Sequence, residues 1–152
     1  MGKNTPEALA WDAAVRRWAW RLWLTDWDLT TEVAETLKGE GSGEPAAEVS
    51  CQPEYRQATV TAVRSYIREH PDEVDRVACH EVLHAVFSPL TMFVDHIVET
   101  MPNSMRVVTK ESWRVHKESM TNRLEQILTK VSWDDKTELK RRNRADRKLG
   151  KP

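Results

Sequence analysis

The chain has 152 residues, enough for one domain with a substantial core. Its 23 basic and 24 acidic side chains leave a net charge of −1, and the distribution is uneven: seven cations against Asp146 make residues 140–152 net +6, so the remainder is net −7, which excludes a broadly basic nucleic-acid-binding body. No cationic start leads into an apolar stretch with a small-residue cleavage site, and no apolar run approaches the roughly 18 residues that span a bilayer, so the expectation is a cytoplasmic protein with no membrane contact.

Thr5 and Pro6 suit an N-cap and a first helical position, and Trp11, Val15, Trp18 and Leu22 then recur at helical spacing, so an amphipathic helix is predicted to end near Leu24. Trp20, Trp23 and Trp27 widen its apolar surface, and an aromatic stripe of this kind reads first as core. From Trp27 the period changes to two: Leu29, Thr31 and Val33 alternate with Asp28, Thr30 and Glu32, the pattern of a half-exposed strand. Lys38 to Pro45 (KGEGSGEP) reads as a turn or flexible loop. AEVSC and, beyond Pro53, YRQATVTAV complete an expected three-stranded, mostly antiparallel meander with at least one edge strand.

Helical signals return at Pro71 and are predicted to run through Phe87, stopping before Pro89. A second stretch, Thr91 to Thr100, follows, and then a helix from about Ser112 to Ser132 with Leu124, Ile127, Leu128 and Val131 as its apolar stripe. The fold class expected is therefore α+β, helices packed on a small sheet, with one domain over 1–133 and a basic, mobile tail over 134–152. Cys51 and Cys79 fit reduced thiols, Cys79 as a small buried hydrophobe.

Inside the apolar run VACHEVLHAVF, Val77 to Phe87, only His80, Glu81 and His84 are polar. Four residues apart on a helix, His80 and His84 share a face and can both direct ring nitrogens at one ion. Glu81 lies about 100° further round, where it can reach a water held by that ion but not easily the ion itself. This is the HExxH arrangement of zinc peptidases, with Glu81 as the general base. The competing reading is a hydrogen-bonded core network. A buried carboxylate without a partner is costly, and that weighs against it.

A catalytic zinc takes a third protein ligand and keeps a fourth position open. Phe87 and Leu90 occupy the glycine and third-histidine positions of the extended HExxHxxGxxH pattern, so that source fails. His96 would serve only if its segment folded back. Glu118 and Glu125, seven apart on the last helix and so on one face, are better placed.

HEVLH at 80–84, followed about 34 residues later by ESMTN, resembles the gluzincin arrangement of zincin-type peptidases. In particular the chain is similar to small single-domain zinc metallopeptidases of bacteriophages, which combine a Trp-rich N-terminal helix, a strand set with YRxA, HExLH and a late glutamate-bearing helix. The likeness covers most of residues 11–131, although only HExxH is a specific motif. It implies a zincin-like mini-domain, Zn2+ as cofactor, Glu118 as third ligand with Glu125 as the alternative, and Asn122 supporting a ligating histidine. Glu125 departs from the family pattern, which has a small apolar residue there.

The function expected is a zinc metallopeptidase that hydrolyses a protein or peptide substrate, Glu81 acting as general base on a zinc-bound water. An edge strand, Tyr55 to Val63 or its neighbour, would align the substrate. His96, His116 and Tyr66 are the candidates for stabilising the oxyanion. Two other readings remain: a catalytically inactive zincin-fold binding or regulatory protein, and a weak nonspecific nucleic-acid contact through the basic tail.

Overall fold

A computed structural model describes residues 5–37 and 45–131; the expected loop, apart from Pro45, and the expected basic tail lie outside the described residues. The elements in chain order are α1 (Pro6–Arg21), β1 (Asp28–Ala34), β2 (Ala47–Gln52), a single 3-10 turn (Pro53–Tyr55), β3 (Gln57–Val63), α2 (Arg64–Glu69), α3 (Val74–Glu99) and α4 (Asn103–Leu128). Helices and one small sheet make the α+β class expected from the sequence. α1 packs over β1 and α3 over β2, the two helices touch each other, and α4 lies against α3.

Thr5 caps α1 as predicted, its hydroxyl accepting from the Ala8 amide. Trp11, Ala14, Val15, Trp18 and Ala19 form the buried stripe. Both large rings are 1% exposed, and each indole N–H finds an acceptor: Trp11 the Val60 carbonyl at 3.0 Å, Trp18 the Asp75 carboxylate at 3.1 Å. The helix ends at Arg21 rather than Leu24. The Leu24 amide reaches back to the Ala19 carbonyl and the Trp23 amide to that of Trp20, a Schellman closure with Trp23 in the left-handed region at φ 62°.

The sheet is mixed, not an antiparallel meander. Its order is β1-β3-β2, with β3 parallel to β1 and antiparallel to β2. Val60, Ala58 and Ala62 of β3 are buried, whereas its neighbours, apart from buried Ala47 of β2, have only half-buried and exposed positions. The most apolar strand therefore takes the middle, where both its edges are paired, and the chain passes from β1 beyond β3's place to reach β2. Arg56, left-handed at φ 53°, closes the β2–β3 connection.

Later helix boundaries also differ from expectation. α2 was not foreseen, and Pro71 belongs to the turn before α3, which starts at Val74. α3 does not stop at Pro89 but continues for 26 residues to Glu99. Proline removes the amide that would bond the Ala85 carbonyl, and the Ser88 hydroxyl takes that carbonyl instead at 2.8 Å. The expectation that no apolar stretch reaches spanning length is corrected with it: α3 contains an 18-residue window of mean hydropathy 1.4. Length and composition of this kind are shared by core helices, and the first half of α3 is packed against β2 and α1.

Arg106 links the α3–α4 corner by donating to the Met101 and Glu99 carbonyls at 2.8 and 2.6 Å. α4 begins at Asn103, well before Ser112, and turns only part of its predicted apolar stripe inward. Leu128 packs against the core, but Leu124, Ile127 and Val131 are exposed, while Thr121 and Glu125 are buried.

Candidate metal centre

α3 presents His80 and His84 one turn apart toward α4, and α4 returns Glu118 and Glu125 two turns apart on its inward face. The His80 and His84 Nε2 atoms lie 3.0 Å apart. One Glu118 oxygen is 3.2 Å from His80 Nε2 and the other 3.4 Å from His84 Nε2. Among the described residues this trio is the group of donors close enough to hold one metal ion, its ligand atoms all within 4.8 Å of one another.

Glu125 has a different position. It is 4% exposed and sits behind His80, one oxygen 3.1 Å from Nδ1 and the other 3.3 Å from Arg76. A carboxylate there fixes Nδ1 as the protonated nitrogen and leaves the Nε2 lone pair turned toward His84 and Glu118. Of the two glutamates, the geometry groups Glu118 with both imidazoles and puts Glu125 behind one of them. Asn122 approaches Glu118 at 3.5 Å rather than either histidine, so its expected support of a histidine is corrected to the carboxylate.

The donor set suits a cation. With the His80 proton held on Nδ1, its Nε2 lone pair faces a carboxylate oxygen, and only a shared proton or a positive ion reconciles the two. Burial, then the charges of His80 and Lys117, push His84 down to about 4, so the ring is neutral and able to ligate over the physiological range. His84 Nδ1 is buried with no partner among the described residues. Two nitrogens and one carboxylate match the ligand preferences of zinc.

Glu81 is not one of this trio. It lines an open cleft of about 740 Å³ whose walls are β2 and α3, His84 included, with Lys117 contributed by α4. The residue is 8% exposed, and its carboxyl has no hydrogen-bond or ion-pair partner among the described residues. Burial, with smaller contributions from Glu118 and Glu48, pushes its pKa up to about 8. β2 is an edge strand and lines the same cleft, whereas β3, the strand named first from sequence, is central and paired on both sides.

The three residues expected near the oxyanion separate. His96 lines the cleft, but twelve residues of continuous helix put it about 18 Å along the axis from His84. The same distance removes it as a third ligand. His116 is exposed and bonds the Ser112 carbonyl, and Tyr66 donates to Glu73, outside the cleft lining. Sequence reasoning passed over Lys117, next to Glu118, which is a cation lining the cleft and close enough to His84 to help lower its pKa. Its position beside a candidate ligand was the available signal. No family model matches the chain, and no curated protein or solved structure matches it.

Proposed function

We propose that the protein is a zinc metallopeptidase in which His80, His84 and Glu118 hold the metal and Glu81 is the general base. The observation that carries this reading is Glu81, a buried residue whose carboxyl has no hydrogen-bond or ion-pair partner among the described residues and which lines a cleft beside the ligand cluster. Packing alone gives no reason to keep an acid there, since an apolar residue of similar size would avoid the desolvation cost. The resemblance to small bacteriophage zinc peptidases assigns the same roles to His80, Glu81 and His84.

Zinc bound at this place would polarise a scissile carbonyl and lower the pKa of the attacking water. The protein's own groups do the rest. A nearby cation opposes the burial that keeps Glu81 protonated, so the carboxylate form can accept the water's proton and pass it to the leaving amine. Glu125 holds the His80 ring by its Nδ1 proton and is itself balanced by Arg76. The edge of β2 left unpaired among the described residues offers backbone groups to an extended peptide. Lys117 provides positive charge on the cleft wall for the developing oxyanion.

The test is zinc per chain by elemental analysis of wild type and Glu81→Gln after dialysis, followed by exposure of both to a peptide library. We expect about one zinc in each and a loss of cleavage of about 10²- to 10⁴-fold in the variant. Absence of zinc from both, with none taken up on titration, sinks the metal centre. Zinc in both with cleavage by neither replaces the enzyme by a zinc-holding binding or regulatory protein.

A further inference from the structure

This inference rests on the peptidase reading and concerns what the cleft accepts. Its two long walls keep step with one another. Glu48 lies near enough to Glu81 to affect it, and Cys51 lies against the Ser88 hydroxyl. Three strand residues and seven helical residues each advance about 10 Å, so β2 and α3 run alongside in the same direction. Continuing along the cleft leads to Glu54 on the strand side and to Asp95 and Glu99 on the helix side. By helical rise, Asp95 and Glu99 are about 17 and 23 Å from His84.

The lining is acidic along its length, with Glu48 and Glu81 at the near end as well. Lys117 is the one lysine or arginine that lines the cleft among the described residues, and it adjoins the metal ligands. The far end has Glu54, Asp95 and Glu99, none of them ion-paired among the described residues. Elsewhere arginines hold several exposed carboxylates: Arg56 holds Asp26, Arg17 holds Asp75, Arg64 holds Glu35 and Arg114 holds Glu111. Unpaired carboxylates along one groove repel each other and focus a negative field within it. The groove is identified as a site independently of these acids, since the buried, unpartnered Glu81 faces into it.

We propose that the cleft takes an extended polypeptide laid along the edge of β2, with lysine or arginine side chains about five to seven residues to one side of the scissile bond. Glu54, Asp95 and Glu99 receive those cations, and the uncharged stretch between spans the distance to Glu81 and His84. Acidic polypeptides are disfavoured by the same field.

The experiment uses the full chain and three labelled peptides of about 14 residues, alike except for a lysine pair near the N-terminus, a lysine pair near the C-terminus, or a glutamate pair. Binding is read by fluorescence anisotropy on zinc-free protein, and kcat/KM on zinc-loaded protein. We expect one lysine peptide to bind about 10-fold more tightly than the glutamate peptide, an advantage that shrinks at about 0.5 M salt. The double variant Asp95→Asn, Glu99→Gln should lose most of that advantage. Equal binding of lysine and glutamate peptides, or a preference that survives the double substitution, overturns the proposal. Lysine-selective binding without hydrolysis of any peptide removes the peptidase reading and leaves the cation-accepting cleft standing; hydrolysis without charge preference does the reverse.

Discussion

Leu83 and Leu90 lie two turns apart on the same helix, yet Leu83 is 2% exposed and Leu90 44%. The contrast holds for the segments around them. From Val74 to Ala85, α3 lies in the core with Val77, Ala78, Cys79, Val82 and Ala85 buried. From Val86 to Glu99 it is nearly as apolar in sequence, but Phe93 is 59% exposed and Val98 is the one fully buried position there. The inner half accommodates two imidazoles and a carboxyl among its buried residues; the outer half has its aliphatic groups at the surface and its polar groups, Thr91, Asp95 and Glu99, along the cleft. Hydrophobicity alone therefore does not locate the core of this helix. Which segments come to lie against it does.

The largest effect expected from this contrast is on stability. Leu83→Ala removes a side chain from close-packed surroundings and should cost about 2 to 5 kcal/mol, read by chemical denaturation in EDTA. A loss below about 1 kcal/mol would mean that the inner half is not packed as described.

A second effect reads the inner half alone, by pH. In metal-free protein the Glu81 carboxyl stays protonated up to about 8, while the unfolded chain ionises it near the usual 4.5. Its stabilising contribution is thus full below 4.5 and is lost as pH rises through 8. His84 acts oppositely: depressed to about 4 from the usual 6.5, it contributes stability above 6.5 that is lost as pH falls through 4. Between 4.5 and 6.5 the two slopes offset each other, and above 6.5 only that of Glu81 remains. Metal-free wild type should therefore lose about 2 kcal/mol between pH 6.5 and 8, and Glu81→Gln should not. Parallel curves for the two proteins would refute the assignment of that slope to Glu81.

The same contrast shows which features were legible in the sequence. The HExxH helix, the Trp stripe of α1 and the three strands could all be read because local periodicity and residue type specify them. Strand order could not, since parallel pairing of β1 with β3 depends on which strand most needs two covered edges. Pro89 looked like a helix end because the carbonyl it strands is satisfied by Ser88, a rescue invisible to propensity. For α4 the apolar stripe was only partly right. Leu128 packs against the core, but Glu118 and Glu125 also face inward, polar because they meet the two histidines of α3. Spacing placed Glu118 and Glu125 on one face; only the tertiary arrangement distinguishes the glutamate facing both imidazoles from the one behind His80.

That distinction gives a third test. Glu125→Gln keeps an acceptor near His80 Nδ1 but removes the charge that favours the required tautomer, so zinc affinity should fall about 10- to 100-fold by competition with a chelating dye. Glu118→Gln should weaken zinc binding further, because it alters a ligand itself. The reverse ranking would exchange the roles of the two glutamates.

The smallest effect belongs to the outer half. Leu90→Ala truncates a side chain that is already 44% exposed, next to Pro89, and should change stability by about 0.5 kcal/mol or less. Thermal unfolding of this variant beside Leu83→Ala compares one chemical change at two places on one helix. Near-equal shifts would require something to cover Leu90 in solution, such as self-association, and dilution would then separate the two cases because only an association-dependent shift varies with protein concentration. A large difference that is independent of concentration would leave the apolar outer half of α3 as free surface, its sequence resembling core only because the cleft residues and the exposed aliphatic stripe interleave on one helix.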